Sequence, residues 1–380
     1  MSRREYGSPV VSVVRCETYD LGPIRQAVIA ALAPLGGIGR FVRPGMRVLL
    51  KPNLLAAADA ERAVTTHPAV VRAVAELVQG AGGTVLIGDS PGGRGGDGRR
   101  VWRPSGMADV AERTGARLVP FDGVVWKRLN GADYFIARPV LEADLVVDLP
   151  KLKTHLLTLY TGAVKNMFGA IPSTRKREVH CRAPGVRDFS QALVDVLALT
   201  RPGLTLIDGV LGQEGNGPGM GGTPRRYGCL AASADPVALD AVIARALGYG
   251  PGEVIHLAQA KERGLGVSDL AQVRVVGDRR ALDFGPVALP HTHWYFRVPS
   301  WVSAPVHGAL RLRPRLDAAA CAGCSRCAEA CPREAIAPGQ PPHFDLDRCV
   351  GCFCCAEVCP EGAITPHRSL IARLIGVRVR

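Results

Sequence analysis

The 380-residue sequence predicts an α/β fold: a mostly parallel sheet covered by helices, followed by a small C-terminal α+β domain. Three observations predict it. Short Val, Leu and Ile runs alternate with helical patterns through residues 10–290, as they do where parallel strands are buried on both faces. Aromatics are only 5% of the chain, so the core is aliphatic. Nine of the twelve cysteines crowd into residues 321–359, too dense and too regular for scattered core thiols.

The strands read as 10–15, 47–50, 84–88, 117–121, 145–147, 204–207 and 230–233. The helices between them read as 24–35, 68–79, 106–114, 189–199 and 236–247. His67-Pro68 and Asp235-Pro236 mark two helix starts, because proline at the first helical position gives up an N–H that would lack a partner anyway.

The cysteines are the strongest signal. Cys321, Cys324, Cys327 and Cys331 repeat 28 residues later as Cys349, Cys352, Cys355 and Cys359, each run ending Cys-Pro. The two segments agree at ten of sixteen positions. This C-x2-C-x2-C-x3-C-P spacing is that of bacterial two-cluster ferredoxins, in which the fourth cysteine of each run ligates the other cluster. The expectation is two [4Fe-4S] clusters, one held by Cys321, Cys324, Cys327 and Cys359, the other by Cys349, Cys352, Cys355 and Cys331. A zinc ribbon, the competing reading, needs four ligands rather than eight. Cys354 stands between ligands as a bystander thiol.

Polar residues recur where the apolar runs end: Lys51 and Asn53, Asp89, Lys151, Lys153 and His155, Asp208. Parallel strands end on one side of a sheet, and that edge forms the ligand crevice of open α/β folds. Lys51, Asn53, Lys151, Lys153, His155 and Lys165 are therefore candidates to bind and polarise an anion. Asp89, Asp208 and Glu214 are candidate proton donors or metal ligands. Two G-x-G-x-x-G loops, at Gly93, Gly95 and Gly98 and at Gly217, Gly219 and Gly222, lack the strand–turn–helix context of a dinucleotide site.

The motifs KPN (51–53), GDSPGG (88–93), PKLKTH (150–155), TGAVKNMFGAIP (161–172), DGVLGQEGNGPG (208–219) and SADPVALDAV (233–242) together resemble the domain-of-unknown-function family numbered 362. The resemblance spans roughly residues 11–280 and implies an iron–sulfur protein with a C-terminal ferredoxin module. It supplies no reaction.

The expected organisation is an α/β domain over 1–284, an aromatic and basic linker over 285–316, a ferredoxin domain over 317–366 and a basic tail over 367–380. No apolar run is long enough to span a membrane, and no apolar segment after Met1 suits a signal peptide, so the expected location is cytoplasmic. The net charge of +13 suits an anionic partner or ligand. These features point to an iron–sulfur oxidoreductase that passes low-potential electrons from a redox partner protein to an anionic small molecule. The alternative is a non-enzymatic electron carrier whose large domain docks a partner. A nucleic-acid binder is disfavoured, because aromatics interleaved with basic residues occur only in the linker.

Overall fold

A computed structural model describes residues 8–93, 98–293 and 312–367. In chain order the strands of the large domain are β1 (Val10–Arg15), β2 (Arg47–Pro52), β3 (Thr84–Ile87), β4 (Arg117–Leu118), β5 (Val124–Leu129), β6 (Ala132–Ala137), β7 (Leu145–Leu149), β8 (Lys151–His155), β9 (Leu159–Thr161), β10 (Leu204–Gly215), β11 (Gly222–Ser233) and β12 (Arg274–Gly277). The helices are α1 (Leu21–Leu32), α2 (Pro68–Gly80), α3 (Arg99–Trp102), α4 (Met107–Thr114), α5 (Arg138–Glu142), α6 (Ala163–Asn166), α7 (Ser173–Arg182), α8 (Val186–Thr200), α9 (Pro236–Ala246) and α10 (Ile255–Glu262).

One ten-stranded sheet runs β12-β1-β11-β10-β7-β2-β3-β4, with β8 beside β10 and β9 beside β8. Its pairings are parallel except that β11 runs against β1 and β10, and β9 against β8. The sheet is buried on both sides. Along β2, Val48 and Leu50 join a core with α1 and α2, while Leu49 between them joins a second core with α8 and α9. This alternation is the period of two that sends successive side chains to opposite faces. Among the described residues no helix is long and apolar enough to cross a membrane.

The α/β class is as the sequence predicts, and several elements differ from it. Residues 151–155 read as a polar strand end but form β8, with Lys151 and Lys153 in register with Asp208 and Gln213 of β10; Lys151 pairs with Asp208 there, while Lys153 reaches Asn53 and Val64. The run at 230–233 is the end of the twelve-residue β11. The run at 117–121 is a strand for only two residues. The β5–β6 hairpin was missed, although its turn, Asn130-Gly131 with φ of 51° and 77°, is the left-handed pair that two-residue hairpins favour.

The small domain contains β13 (Arg313–Leu316), α11 (Arg326–Ala330), β14 (Ile336–Ala337), β15 (His343–Phe344), α12 (Cys354–Val358) and β16 (Ile364–His367). β13 pairs with β16, so this domain begins inside the span read as linker and reaches His367. The linker aromatics Trp294, Tyr295, Phe296 and Trp301, and the tail beyond His367, lie outside the described residues.

Asp240, inside α9, ties the lower face together. Its carboxylate accepts from Ala163 N at 2.7 Å, Val164 N at 2.9 Å and Tyr160 Oη at 3.1 Å. Asp240→Ala strands three buried donors, at about 1–3 kcal/mol for each unmet group. The expected loss is roughly 3 kcal/mol or more, read from the denaturant midpoint; a change within experimental error would contradict this account.

Candidate functional site

Three lysines at the carboxyl end of the sheet are fully buried, and each is held differently. Lys51 Nζ pairs with Asp89 Oδ1 at 2.7 Å and donates to Asn166 O at 2.6 Å. Gly169 makes room for that pair, since a Cβ there would stand 2.1 Å from Asp89 Oδ1. Lys151 Nζ pairs with Asp208 Oδ2 at 2.8 Å and donates to Tyr19 Oη at 2.9 Å. Lys153 has no carboxylate in contact: its Nζ donates to Asn53 Oδ1 at 2.7 Å and Val64 O at 2.8 Å. Burial, with Lys165 nearby, lowers the Lys153 ammonium to about 7.

From Lys153 a hydrogen-bonded line runs inward. Asn53 Nδ2 donates to Asn166 Oδ1 at 2.9 Å, and Asn166 Nδ2 donates to Asp148 Oδ1 at 2.7 Å. Burial raises the Asp148 carboxyl to about 8. The line fixes the orientation of both amides and holds Asn53 Oδ1 toward the Lys153 ammonium.

Above these groups lies a cavity of about 380 Å³. Its floor and sides come from the α/β domain, including Asn53, Asp89, Ser90, Lys153, Lys165, Ser173 and Lys176. Its far wall comes from the small domain through Glu329, Pro332, Cys354, Glu357 and Val358. Lys165 Nζ lies 5.9 Å and 5.8 Å from the ring centres of Phe168 and Phe189. Among the described residues it has no hydrogen-bond or ion-pair partner. Burial lowers its ammonium as well, and Lys176, bonded only to the carbonyls of Ser90 and Pro91, is lowered by burial to about 8. Ser90 Oγ and Ser173 Oγ are 3.0 Å apart on the same side.

The two domains are pinned together around this cavity. His155 Nε2 meets Glu357 Oε1 at 3.2 Å, while its Nδ1 accepts from Leu157 N at 2.9 Å. Burial lowers the His155 imidazole to about 4. Burial acts to raise the Glu357 carboxyl, but the His155 hydrogen bond and surrounding positive charge outweigh it and hold it near 2. Arg177 reaches Glu334 Oε1 at 2.8 Å and Pro332 O at 3.1 Å. Gly219 lies so close to α12 that a Cβ there would stand 2.5 Å from Glu357 O.

In the small domain Cys331, Cys349, Cys352 and Cys355 line one internal cavity. None of the twelve cysteines forms a disulfide. Backbone N–H groups face the sulfurs, Ala335 N to Cys331 Sγ at 3.2 Å and Gly351 N to Cys349 Sγ at 3.4 Å. Four sulfurs around one space, with amide donors turned toward them, fit thiolate ligation of an iron–sulfur cluster. His180, on α7, brings a ring nitrogen within 4.8 Å of the sulfurs of Cys352 and Cys354.

The sequence candidates therefore separate. Asn53, Asp89, Lys153 and Lys165 line the cavity. Lys51 supports it from below through Asp89. His155 sits at its domain seam. Lys151 and Asp208 form their own buried cluster, with Tyr19 stacked on His67 at 3.6 Å, and do not line the cavity. Glu214 lies apart, paired with Arg225 at 2.6 Å. Ser90, Ser173, Glu357 and the Asp148 line were not singled out. Asp148 directly precedes PKLKTH and Ser90 lies within GDSPGG, but nothing in the sequence pairs Glu357 with a histidine two hundred residues away.

The model described as domain of unknown function (DUF362) matches residues 48–245. The 4Fe-4S dicluster domain matches residues 320–363. A thylakoid-associated protein from Synechocystis sp. (strain ATCC 27184 / PCC 6803 / Kazusa) is 39% identical over 260 residues, which are 67% of this chain and 79% of that protein. The lactate racemase apoprotein from Thermoanaerobacterium thermosaccharolyticum aligns at 15% identity and a TM-score of 0.36, over 54% of this chain and 51% of that one, about half its length.

His256 offers a pH test behind the site. Among the described residues neither of its ring nitrogens has a partner, and burial lowers its imidazole to about 3 from the ordinary 6.5. The unfolded chain then binds more protons than the folded one between those values, so this histidine withdraws stability as pH falls below 6.5. His256→Leu removes that loss. Relative to the parent, the variant should gain stability by up to about 1.4 kcal/mol per pH unit on acidification below the histidine midpoint. A stability difference independent of pH would contradict a neutral His256.

Proposed function

The chain belongs to the DUF362 family and ends in a 4Fe-4S dicluster domain, and on that premise we propose that it is an oxidoreductase acting on an anionic small molecule held between its two domains. One observation carries the reading: Lys153, Lys165 and Lys176 open into the same cavity as Cys354, the residue between two cysteines of the second run. Two [4Fe-4S] clusters, held by the crossed cysteine sets, supply single electrons at low potential when bound.

The rest follows from the chain's own groups. Among the described residues Lys165 has no anion in direct contact and Lys176 bonds only to carbonyls, so the cavity carries positive charge for a ligand to balance. Asp89 does not cancel it, because Lys51 already engages it, and the Glu357 carboxylate, beside a neutral His155, offsets only part of it. Ser173 Oγ donates to Pro91 O at 2.8 Å and Ser90 Oγ lies 3.0 Å from Ser173 Oγ, so the two hydroxyls are tied to each other and to the backbone at the cavity edge. Lys153, lowered to about 7, is poised to give a proton to the ligand near neutral pH. Lys153 is fully buried beneath the cavity, and low local polarity strengthens its interactions.

Two measurements test the proposal. Anaerobically purified protein should contain roughly eight irons and eight sulfides per chain; about four irons, or stoichiometric zinc, would overturn the two-cluster reading. Dithionite-reduced protein should be reoxidised by small oxidised anions without a second protein. Lys153→Ala should weaken anion binding in calorimetry about tenfold or more while leaving iron content unchanged. Reoxidation only by a partner protein, with no anion binding, would instead make the chain an electron carrier.

A further inference from the structure

The small domain turns its two cysteine runs in different directions. The second run faces the cavity: Cys354, Glu357 and Val358 line it, and so do Glu329, Ala330 and Pro332, which flank Cys331. Cys331, Cys352 and Cys355 are each under a tenth exposed. His180 completes this side, its ring nitrogen within 4.8 Å of the Cys352 and Cys354 sulfurs while the ring stacks on Phe189 at 4.3 Å. In the first run Cys324 is exposed to solvent, and none of Cys321, Cys324 and Cys327 lines the cavity.

We propose that the face built from Cys331, Cys349, Cys352 and Cys355 exchanges electrons with the cavity ligand across the His180–Cys354 wall, and that the Cys321–Cys327 face receives them from outside. This deepens the oxidoreductase reading by giving the module a direction. Each transfer moves one electron: the cluster on the cavity face is oxidised by one, the ligand is reduced by one, and a one-electron carrier at the exposed face makes up the loss. A ligand needing two electrons takes them in two such transfers, with protons from the cavity lysines.

The test is an EPR-monitored redox titration of the full-length, cluster-loaded protein. Cys324→Ser alters or abolishes one of the two cluster signals and so marks the exposed cluster. Lys165→Glu changes the charge on the cavity wall whichever protonation state the lysine holds. Thr174→Glu does so at the exposed rim, in the first turn of α7 where an acid suits the helix. Both should lower the midpoint potential of the signal that Cys324→Ser leaves untouched, Lys165→Glu by more, and leave the other signal in place. Should Lys165→Glu fail to assemble clusters, Thr174→Glu decides alone. A shift confined to the signal marked by Cys324→Ser, or equal shifts in both, would overturn the assignment. Because no added anion enters this experiment, its result is separate from whether the cavity binds a substrate.

Discussion

Removing an ammonium from water is costly unless something nearby replaces the lost solvation, and the carboxyl edge of this sheet buries three of them. Lys51 is met by Asp89, Lys151 by Asp208, and Lys153 by an amide and a carbonyl. The local architecture follows from those needs. β8 lies beside β10 so that Asp208 reaches Lys151, and Gly169 lacks a side chain so that Asp89 reaches Lys51. Lys165 is the one left over, with aromatic rings and no anion. Lys165 thus stands at the cavity with no anion in direct contact among the described residues, and Glu357 acts on it only through space.

Much of this arrangement could be read from the residues alone. Apolar runs gave the central strands because a doubly covered parallel sheet demands them, and the cysteine spacing gave the small domain because cluster geometry demands that. Lys51, Asn53, Asp89 and Lys153 could be nominated because strand ends share one edge, and Lys165 because it lies close in sequence to the basic run at 151–155. What escaped was of another kind. β8 was hidden because its side chains are polar, and only partners distant in sequence, Asp208 for Lys151 and Asn53 with Val64 for Lys153, make them tolerable in a strand. Lys151, Asp208 and Glu214 were nominated with the rest, yet Lys151 closes on Asp208 and Glu214 on Arg225, away from the cavity. Glu357 was invisible because its importance depends on how two separately folded units meet.

That meeting is itself tightly specified. His155 sets its Nδ1 against the backbone of the following turn, which leaves Nε2 for Glu357. Arg177 grips Pro332 and Glu334, and Leu156 packs among Cys327, Cys331 and Phe353. A side chain at Gly219 would collide with the α12 backbone. Polar clasps, an apolar plug and a close backbone approach thus act at one seam, and the cavity lies along it.

The order of these pieces along the chain has a consequence for how the protein is made. Apart from Pro218, every residue that the α/β domain gives to the cavity precedes residue 181, whereas Cys354, Glu357 and Val358 of the opposing wall come more than 170 residues later. Domains generally fold as units during synthesis, the earlier one first. A nascent chain therefore carries its lysines at an open, water-filled edge until the cysteine-bearing segment has emerged, folded and docked. Assembly of the metal-bearing unit is thereby the event that closes the chamber, and a chain that has not reached that stage presents no enclosed space in which a reactive ligand could be held.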